Sequence, residues 1–264
     1  MPVIRHICSM VALCFGLLCT VPSASAVPAK DAAAQLEALL REHPELILDV
    51  LREHSEEVLA IVQQGSDKRR ISTLRKQWEE DMRTPKQVAL AGRPVGGASD
   101  APVTIVAYSD FLCAYCHKAA FTVGSLMKRY SGKIRFVFKQ TPKDENGRIA
   151  GSWFLAAYDM DKAKGWKMYA LAFDRQKEVE AAPEKTMRAI AKEVGFDVPR
   201  LEASLKARAG EFARIMDADA EEADALGFVG TPYFLVNDLV VRGALPMEDF
   251  AEAIDIALAK KAGK

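Results

Sequence analysis

The feature that most constrains this chain is a pair of cysteines on a turn between an apolar strand and an amphipathic helix. Val103-Thr104-Ile105-Val106-Ala107-Tyr108 is a β-branched and aromatic run, the signature of a buried strand. Ser109-Asp110-Phe111-Leu112-Cys113-Ala114-Tyr115-Cys116-His117 follows it. Lys118 to Tyr130 then places Ala119, Ala120, Val123, Leu126, Met127 and Tyr130 at helical spacing. Cys113 and Cys116 therefore stand at or just inside a helix N-terminus. The partial positive charge there stabilises a thiolate, and a C-x-x-C thiol so placed can have its pKa lowered to roughly 3.5–7. A thiolate attacks disulfides, and a second thiol close by resolves the mixed disulfide.

The other cysteines fall where a targeting segment is expected. Arg5 and His6 form a short polar n-region, Ile7 to Thr20 an apolar h-region, and Ala24-Ser25-Ala26 an A-x-A cleavage site. The apolar run is too short for a comfortable membrane span, and Pro22 helps end it. Residues 1–26 are thus expected to be a cleaved signal peptide, with export to the periplasm and a mature chain starting near Val27. Cys8, Cys14 and Cys19 leave with it. A disulfide across two intervening residues stabilises little, so Cys113 and Cys116 are read as reactive rather than structural. Lys and Arg number 36 and Asp and Glu 36, with no basic stripe, which argues against a nucleic-acid partner.

From Asp31 to about Met82 the pattern is helical. Leu36, Leu39 and Leu40 mark a first helix. Pro44 opens a second, whose apolar face runs through Leu46, Ile47, Val50, Leu51, Val58, Leu59 and Ile61. Gly65-Ser66-Asp67 reads as a break before a third, more polar helix. Such leucine faces need a partner. The spacing of Leu36, Leu40, His43, Ile47, Val50 and His54 suggests an oligomerisation seam, with the two histidines lining it or solvated.

Gly92 to Pro102 reads as a linking loop, separating a helical region at 27–91 from a domain at 92–264. After the cysteine turn, Lys133 to Lys139 alternates as a second strand, making a βαβ unit. A strand-free helical stretch occupies about 147–227, punctuated by Gly165, Pro183, Gly195, Pro199 and Gly210. Tyr233-Phe234-Leu235-Val236 and Leu239-Val240-Val241-Arg242 flank Asn237-Asp238 as a hairpin, and Pro246 opens a last helix.

This order resembles the DsbA-like branch of secreted thiol–disulfide oxidoreductases. The carrying motifs are Phe111-Leu112-Cys113-Ala114-Tyr115-Cys116 and Gly230-Thr231-Pro232-Tyr233, within a likeness spanning about Pro94 to Leu258. With the helical arm added, the chain is most similar to the oligomeric suppressor-of-copper-sensitivity type. The resemblance implies an α/β chain: a thioredoxin fold with an inserted helical domain and an N-terminal helical oligomerisation arm. It implies that Cys113 is the exposed nucleophile and Cys116 the buried resolving thiol, cycling between dithiol and disulfide. It implies a cis peptide at Pro232, leaving the Thr231 backbone to pair with a bound peptide. The activity implied is disulfide isomerase or oxidase, without cofactor or metal. The partners implied are misfolded secreted proteins, a membrane-linked redox partner and further copies of the chain in a dimer or trimer.

The chain departs from that family at three points. Relatives often carry a buried acid six residues before the nucleophile, where this chain has Ala107. Lys139, ending the second strand, is expected to reach the site electrostatically instead. The dipeptide Ala114-Tyr115 lacks the proline common in the superfamily.

Rival readings share the same residues. Cys113-Ala114-Tyr115-Cys116-His117 also spells the c-type haem attachment signature, with His117 as axial ligand, but a buried strand abuts the first cysteine. Two neighbouring thiolates also suit soft Cu(I), which would make a binding protein rather than an enzyme. A structural zinc site lacks its second cysteine pair.

Overall fold

The computed structural model describes residues 29–262. Its tertiary contacts divide the chain into two units, one up to Ser66 and one from Asp67 onward. The sequence reading drew its limit at residue 92 instead. Asp67 to Leu90 belongs with the second unit.

The first unit is helical. Helix α1 spans Ala29–Glu42 and α2 Pro44–Glu53, with Pro44 in the first turn where its missing N–H is harmless. Helix α3 spans Ser55–Asp81 and crosses the unit boundary. The expected break at Gly65-Ser66-Asp67 is not there; the helix is interrupted at His54 instead (φ −105°, ψ 30°). Beside this interruption the His54 side chain bonds the Glu57 carboxylate at 2.6 Å. A glycine within a helix costs about 1 kcal/mol relative to alanine, which a long helix tolerates. Helix α2 buries no residue, and Ile47, Val50, Leu59 and Ile61 all remain exposed.

The second unit is built on a mixed five-stranded sheet, β1 (Val95–Gly97), β2 (Val103–Ser109), β3 (Ile134–Gln140), β4 (Tyr233–Val236) and β5 (Leu239–Arg242), in the order β1-β3-β2-β4-β5. Helix α4 (Ala114–Arg129) crosses between β2 and β3, which pair in parallel with Ala107 opposite Phe138. Strand β4 runs antiparallel to β2, and Asn237 turns the β4–β5 hairpin at a positive φ of 53°. Between β3 and β4 lie five helices: α5 (Glu145–Met160), α6 (Lys162–Asp174), α7 (Gln176–Ala181), α8 (Pro183–Glu193) and α9 (Val198–Ala225). Helix α10 (Met247–Ala262) follows β5. This is a thioredoxin-like arrangement with a helical insertion.

Strand β1 lies inside the stretch read as a loop. Its glycine content hides it, yet Gly97 is there for a reason. At φ +79° a Cβ on it would come within 2.2 Å of the Ile134 carbonyl oxygen, so only glycine lets this strand close on β3.

Alternation along the strands creates two apolar layers. On one face Ile105, Ala107, Phe136 and Phe138 pack with Cys116, Val123 and Leu126 of α4, with Phe250 and Ile254 of α10, and with the insertion. On the other, Val106, Tyr108, Val137 and Leu235 pack with Ala223 of α9 and Phe228. Trp78 of α3 is fully buried in the first layer, while Val88 and Leu90 pack on the second, so the segment before residue 92 is part of this core.

The two outer strands are tied by side chains. The Tyr158 hydroxyl accepts the Val95 N–H at 2.9 Å and donates to the Val95 carbonyl at 3.1 Å, which the Trp166 indole also reaches. At β5, Asp81 accepts the Val240 N–H at 2.9 Å, and the Gln77 amide and Trp78 indole both donate to the Val240 carbonyl. The proposed signal peptide lies outside the described residues. Among the described residues no helix is long and apolar enough to cross a membrane.

Candidate active site

The cysteine turn is anchored from below by an aromatic side chain. Phe111 is buried and packs on Phe138, Phe154, Tyr169 and Phe173 with ring centroids 4.9–5.8 Å apart. Such packing fixes the backbone on either side of it. Cys113 then takes the N-cap position of α4 with extended dihedrals, and its carbonyl accepts the His117 N–H at 3.0 Å. Cys116 lies one turn inside the helix, buried against the first layer, whereas Cys113 is partly exposed.

Both cysteines are free thiols, and their environments drive them apart. A hydrogen bond from Cys116 is the main influence holding the Cys113 thiol down at about 5. Burial opposes it, and the Thr231 side chain with the N–H groups of Cys116 and Tyr115 assist it. Burial, followed by the neighbouring Cys113, pushes the Cys116 thiol far up, although the Ser109 side chain and Asp110 N–H pull against it. One sulfur is therefore an anion at neutral pH and the other its hydrogen-bond donor.

The second motif meets the first in space. The loop after α9 brings Thr231 beside the dithiol, so that its carbonyl lies 3.4 Å from Cys113 Sγ, and the Thr231–Pro232 peptide is cis. Exposed apolar side chains occur in both motifs: Tyr115 between the cysteines is 69% exposed, and Val229, two residues before Thr231, 87%.

Not every residue read from the sequence reaches this place. The expected electrostatic role of Lys139 is not supported by its position. Strand alternation puts it on the sheet face opposite Cys116, fully buried, with its ammonium paired to Glu222 and 3.6 Å from Asp219. Arg93 bonds Asp219 at 2.7 Å and the Tyr108 hydroxyl donates to Glu222, closing a set of two cations and two carboxylates. Burial raises the Glu222 carboxyl, but the Ala89 N–H, Lys139 and Tyr108 outweigh it and hold it below its ordinary value. His117 stands on α4 with its ring 5.0 Å from Phe121. His43 and His54 are in the first unit, each bonded to a glutamate. Among the described residues no three His, Cys, Asp or Glu side chains are grouped to hold a metal.

Two residues join the site that sequence reasoning did not weigh. Gln176, at the start of α7, donates its side-chain amide to the carbonyls of Phe111 (2.6 Å) and Cys113 (3.0 Å), clasping the turn from the helical insertion. Asp110, only 5% exposed, is a buried acid three residues before Cys113. A lone acid in an otherwise apolar run was the available signal for Asp110; a glutamine 63 positions downstream offered none.

The wider comparisons agree with this geometry. A family model described as thioredoxin matches residues 90–256. The chain belongs to the thioredoxin family. Among solved structures, this thioredoxin-family chain is similar to a thioredoxin-like oxidoreductase from Silicibacter pomeroyi DSS-3, at 27% identity and TM-score 0.56 over 64% of this chain and 94% of that one. The thiol-disulfide exchange protein alpha-DsbA2 from Wolbachia pipientis shares the fold at 20% identity and TM-score 0.59, covering 72% and 97%. A linker-deletion variant of Proteus mirabilis ScsC shares it at 18% identity and TM-score 0.54, covering 90% and 100%. The fold is thus that of the thiol–disulfide oxidoreductases of the DsbA and ScsC kind. Curated relatives include the Na(+)/H(+) antiporter NhaA 1 of Salinispora arenicola, 31% identical over 168 residues. That match covers 62% of this chain and 24% of the relative, so the chain spans about a quarter of the curated relatives it matches.

Proposed function

We propose that the protein is an exported thiol:disulfide oxidoreductase working as a disulfide isomerase on misfolded proteins of the periplasm. The observation that carries this reading is the division of labour between the two thiols, with Cys113 held near 5 and Cys116 kept protonated. The Cys113 thiolate attacks a wrong disulfide of the client, forming a mixed disulfide and releasing the client's other sulfur as a thiolate. That thiolate attacks elsewhere in the client, and the last exchange expels Cys113, a good leaving group because its thiol is acidic. If the client stalls, Cys116 loses its proton and attacks Cys113 Sγ. The intramolecular disulfide forms, and the client sulfur leaves and is protonated.

In this cycle the Thr231 backbone pairs with the client strand beside the cysteine, next to Pro232. Tyr115 and Val229 offer it apolar contact. A membrane-linked donor keeps the pair reduced. The exposed leucine faces of α1 to α3 support assembly of several copies, which would enclose the thiols and shield them from an oxidising partner.

The test is recovery of activity by a scrambled, disulfide-rich substrate in the presence of the mature protein. Isomerase function requires acceleration that Cys113→Ser abolishes. Titration against glutathione completes it. A potential near roughly −120 mV is compatible with isomerase or oxidase work, whereas one near about −270 mV indicates a reductant. Rapid oxidation of a reduced substrate without rescue of a scrambled one would assign the protein as an oxidase.

A further inference from the structure

A buried acid, Asp110, stands three residues before Cys113, where strand β2 passes into the dithiol turn. All four polar groups of Asp110 are directed at the dithiol turn or at the segment that supports it. Its N–H points to Cys116 Sγ at 3.5 Å, and its carbonyl accepts the Cys113 N–H at 3.2 Å. One carboxylate oxygen accepts the Leu112 N–H at 3.0 Å and the other the Lys143 N–H at 3.1 Å. Helix α5 approaches so closely that a Cβ at Gly147 would lie 2.9 Å from that carboxylate, so the place is shaped for it. We propose that Asp110 is a positioning residue of the dithiol, whose carboxylate bolts the turn before Cys113 to the segment 142–144 and whose charge sets how readily the protein passes on its disulfide. This rests on the reading of Cys113 and Cys116 as an exchanging pair.

The charge acts in one direction. Reducing the disulfide adds two electrons and, near neutral pH, one proton, which Cys116 takes while Cys113 is left as a thiolate. That new anion lies within electrostatic reach of the Asp110 carboxylate. Like charges disfavour each other, so the carboxylate biases the pair toward the disulfide. The reciprocal effect is on Asp110, whose carboxyl lies above its ordinary value mainly because it is buried, with Asp144 and the Cys113 thiolate adding to the rise. The N–H groups of Leu112 and Lys143 pull it back. Asp144 is itself occupied in capping α5, accepting the Gly147 N–H at 2.9 Å.

The experiment compares wild type with Asp110→Asn, which keeps the size of the side chain and removes the charge. The expected result is that the thiolate absorbance of Cys113 titrates at lower pH. The equilibrium with glutathione should move toward the dithiol by about tenfold for each unit by which the Cys113 pKa falls. If both stay at wild-type values while only stability falls, Asp110 is structural and the proposal fails. A second measurement needs no variant: by linkage, the Asp110 carboxyl in labelled wild type must titrate higher in the dithiol form than in the disulfide form. Equal midpoints would overturn the proposal even if the variant does not fold. A wild-type protein that never equilibrates with glutathione removes the exchange reading itself, and the proposal with it.

Discussion

At the scale of the residue, the two sulfurs divide the work by environment alone. Because Cys113 is held at about 5, iodoacetamide should label it with a rate that rises to half its maximum near that pH, while native Cys116 stays unlabelled. Cys116→Ser should accumulate a mixed disulfide visible by mass spectrometry, since the resolving attack is lost. The same shifts bear on stability. Unfolded, both thiols titrate near roughly 8.5. Folded Cys113 is ionised above about 5, so the dithiol form gains stability as pH rises from there toward that unfolded value, and loses it again as pH falls. Above it the unfolded chain ionises a second thiol that folded Cys116 keeps protonated, and stability declines. Denaturation of the two redox forms across pH 4–10 should show this rise and fall only in the dithiol. The dithiol turn and its Thr231-Pro232 neighbour were legible because C-x-x-C and Thr-Pro are short sequence patterns. The structure brings Cys113 and Thr231 together across 118 positions. Asp110 and Gln176 were not weighed, because a carboxylate or amide aimed at backbone groups leaves no mark in residue spacing.

At the scale of the element, the helical insertion does more than pack. Gln176 reaches from α7 to two carbonyls of the turn, so Gln176→Ala should lower stability by about 1–2 kcal/mol in chemical denaturation and slow exchange with a model disulfide. On the far face, Lys139→Met removes the cation paired with Glu222, leaving that carboxylate the Tyr108 hydroxyl and the Ala89 N–H, while Asp219 keeps Arg93. Because Glu222 is only partly buried and stays hydrogen-bonded, the loss should be below the roughly 3–5 kcal/mol of a fully buried broken pair, and the same denaturation measures it. The strands, the crossover and the hairpin were readable from hydrophobic period and turn residues. Strand β1 was not, because two of its three residues are glycines and it is held by register with β3 rather than by propensity. The place of the helix break was missed for a related reason: a glycine only lowers helix propensity, which a long helix tolerates, and the chain leaves helical dihedrals at His54 instead.

At the scale of the whole molecule, the boundary at Ser66 changes how the first helices should be removed. A truncation through residue 82 would take Trp78 out of the core, and Trp78→Ala alone should cost about 3–5 kcal/mol. Removal of residues 27–66 instead should leave the thiol chemistry intact. If the exposed leucines of α1 to α3 are the assembly surface, it should also reduce the solution mass to that of one chain, with weaker rescue of scrambled substrate; unchanged mass in light scattering would refute the assembly role. The side chains that occupy Val95 and Val240 matter at this scale too. Val95 opens one outermost strand and Val240 lies within the other, and each already has its N–H and carbonyl satisfied, by Tyr158 and Trp166 on one side and by Asp81, Gln77 and Trp78 on the other. An unpaired edge is a template on which another polypeptide can add a strand and start to aggregate. If the chain works beside unfolded clients as proposed, occupying these positions makes both edge strands poorer templates for the clients' aggregation.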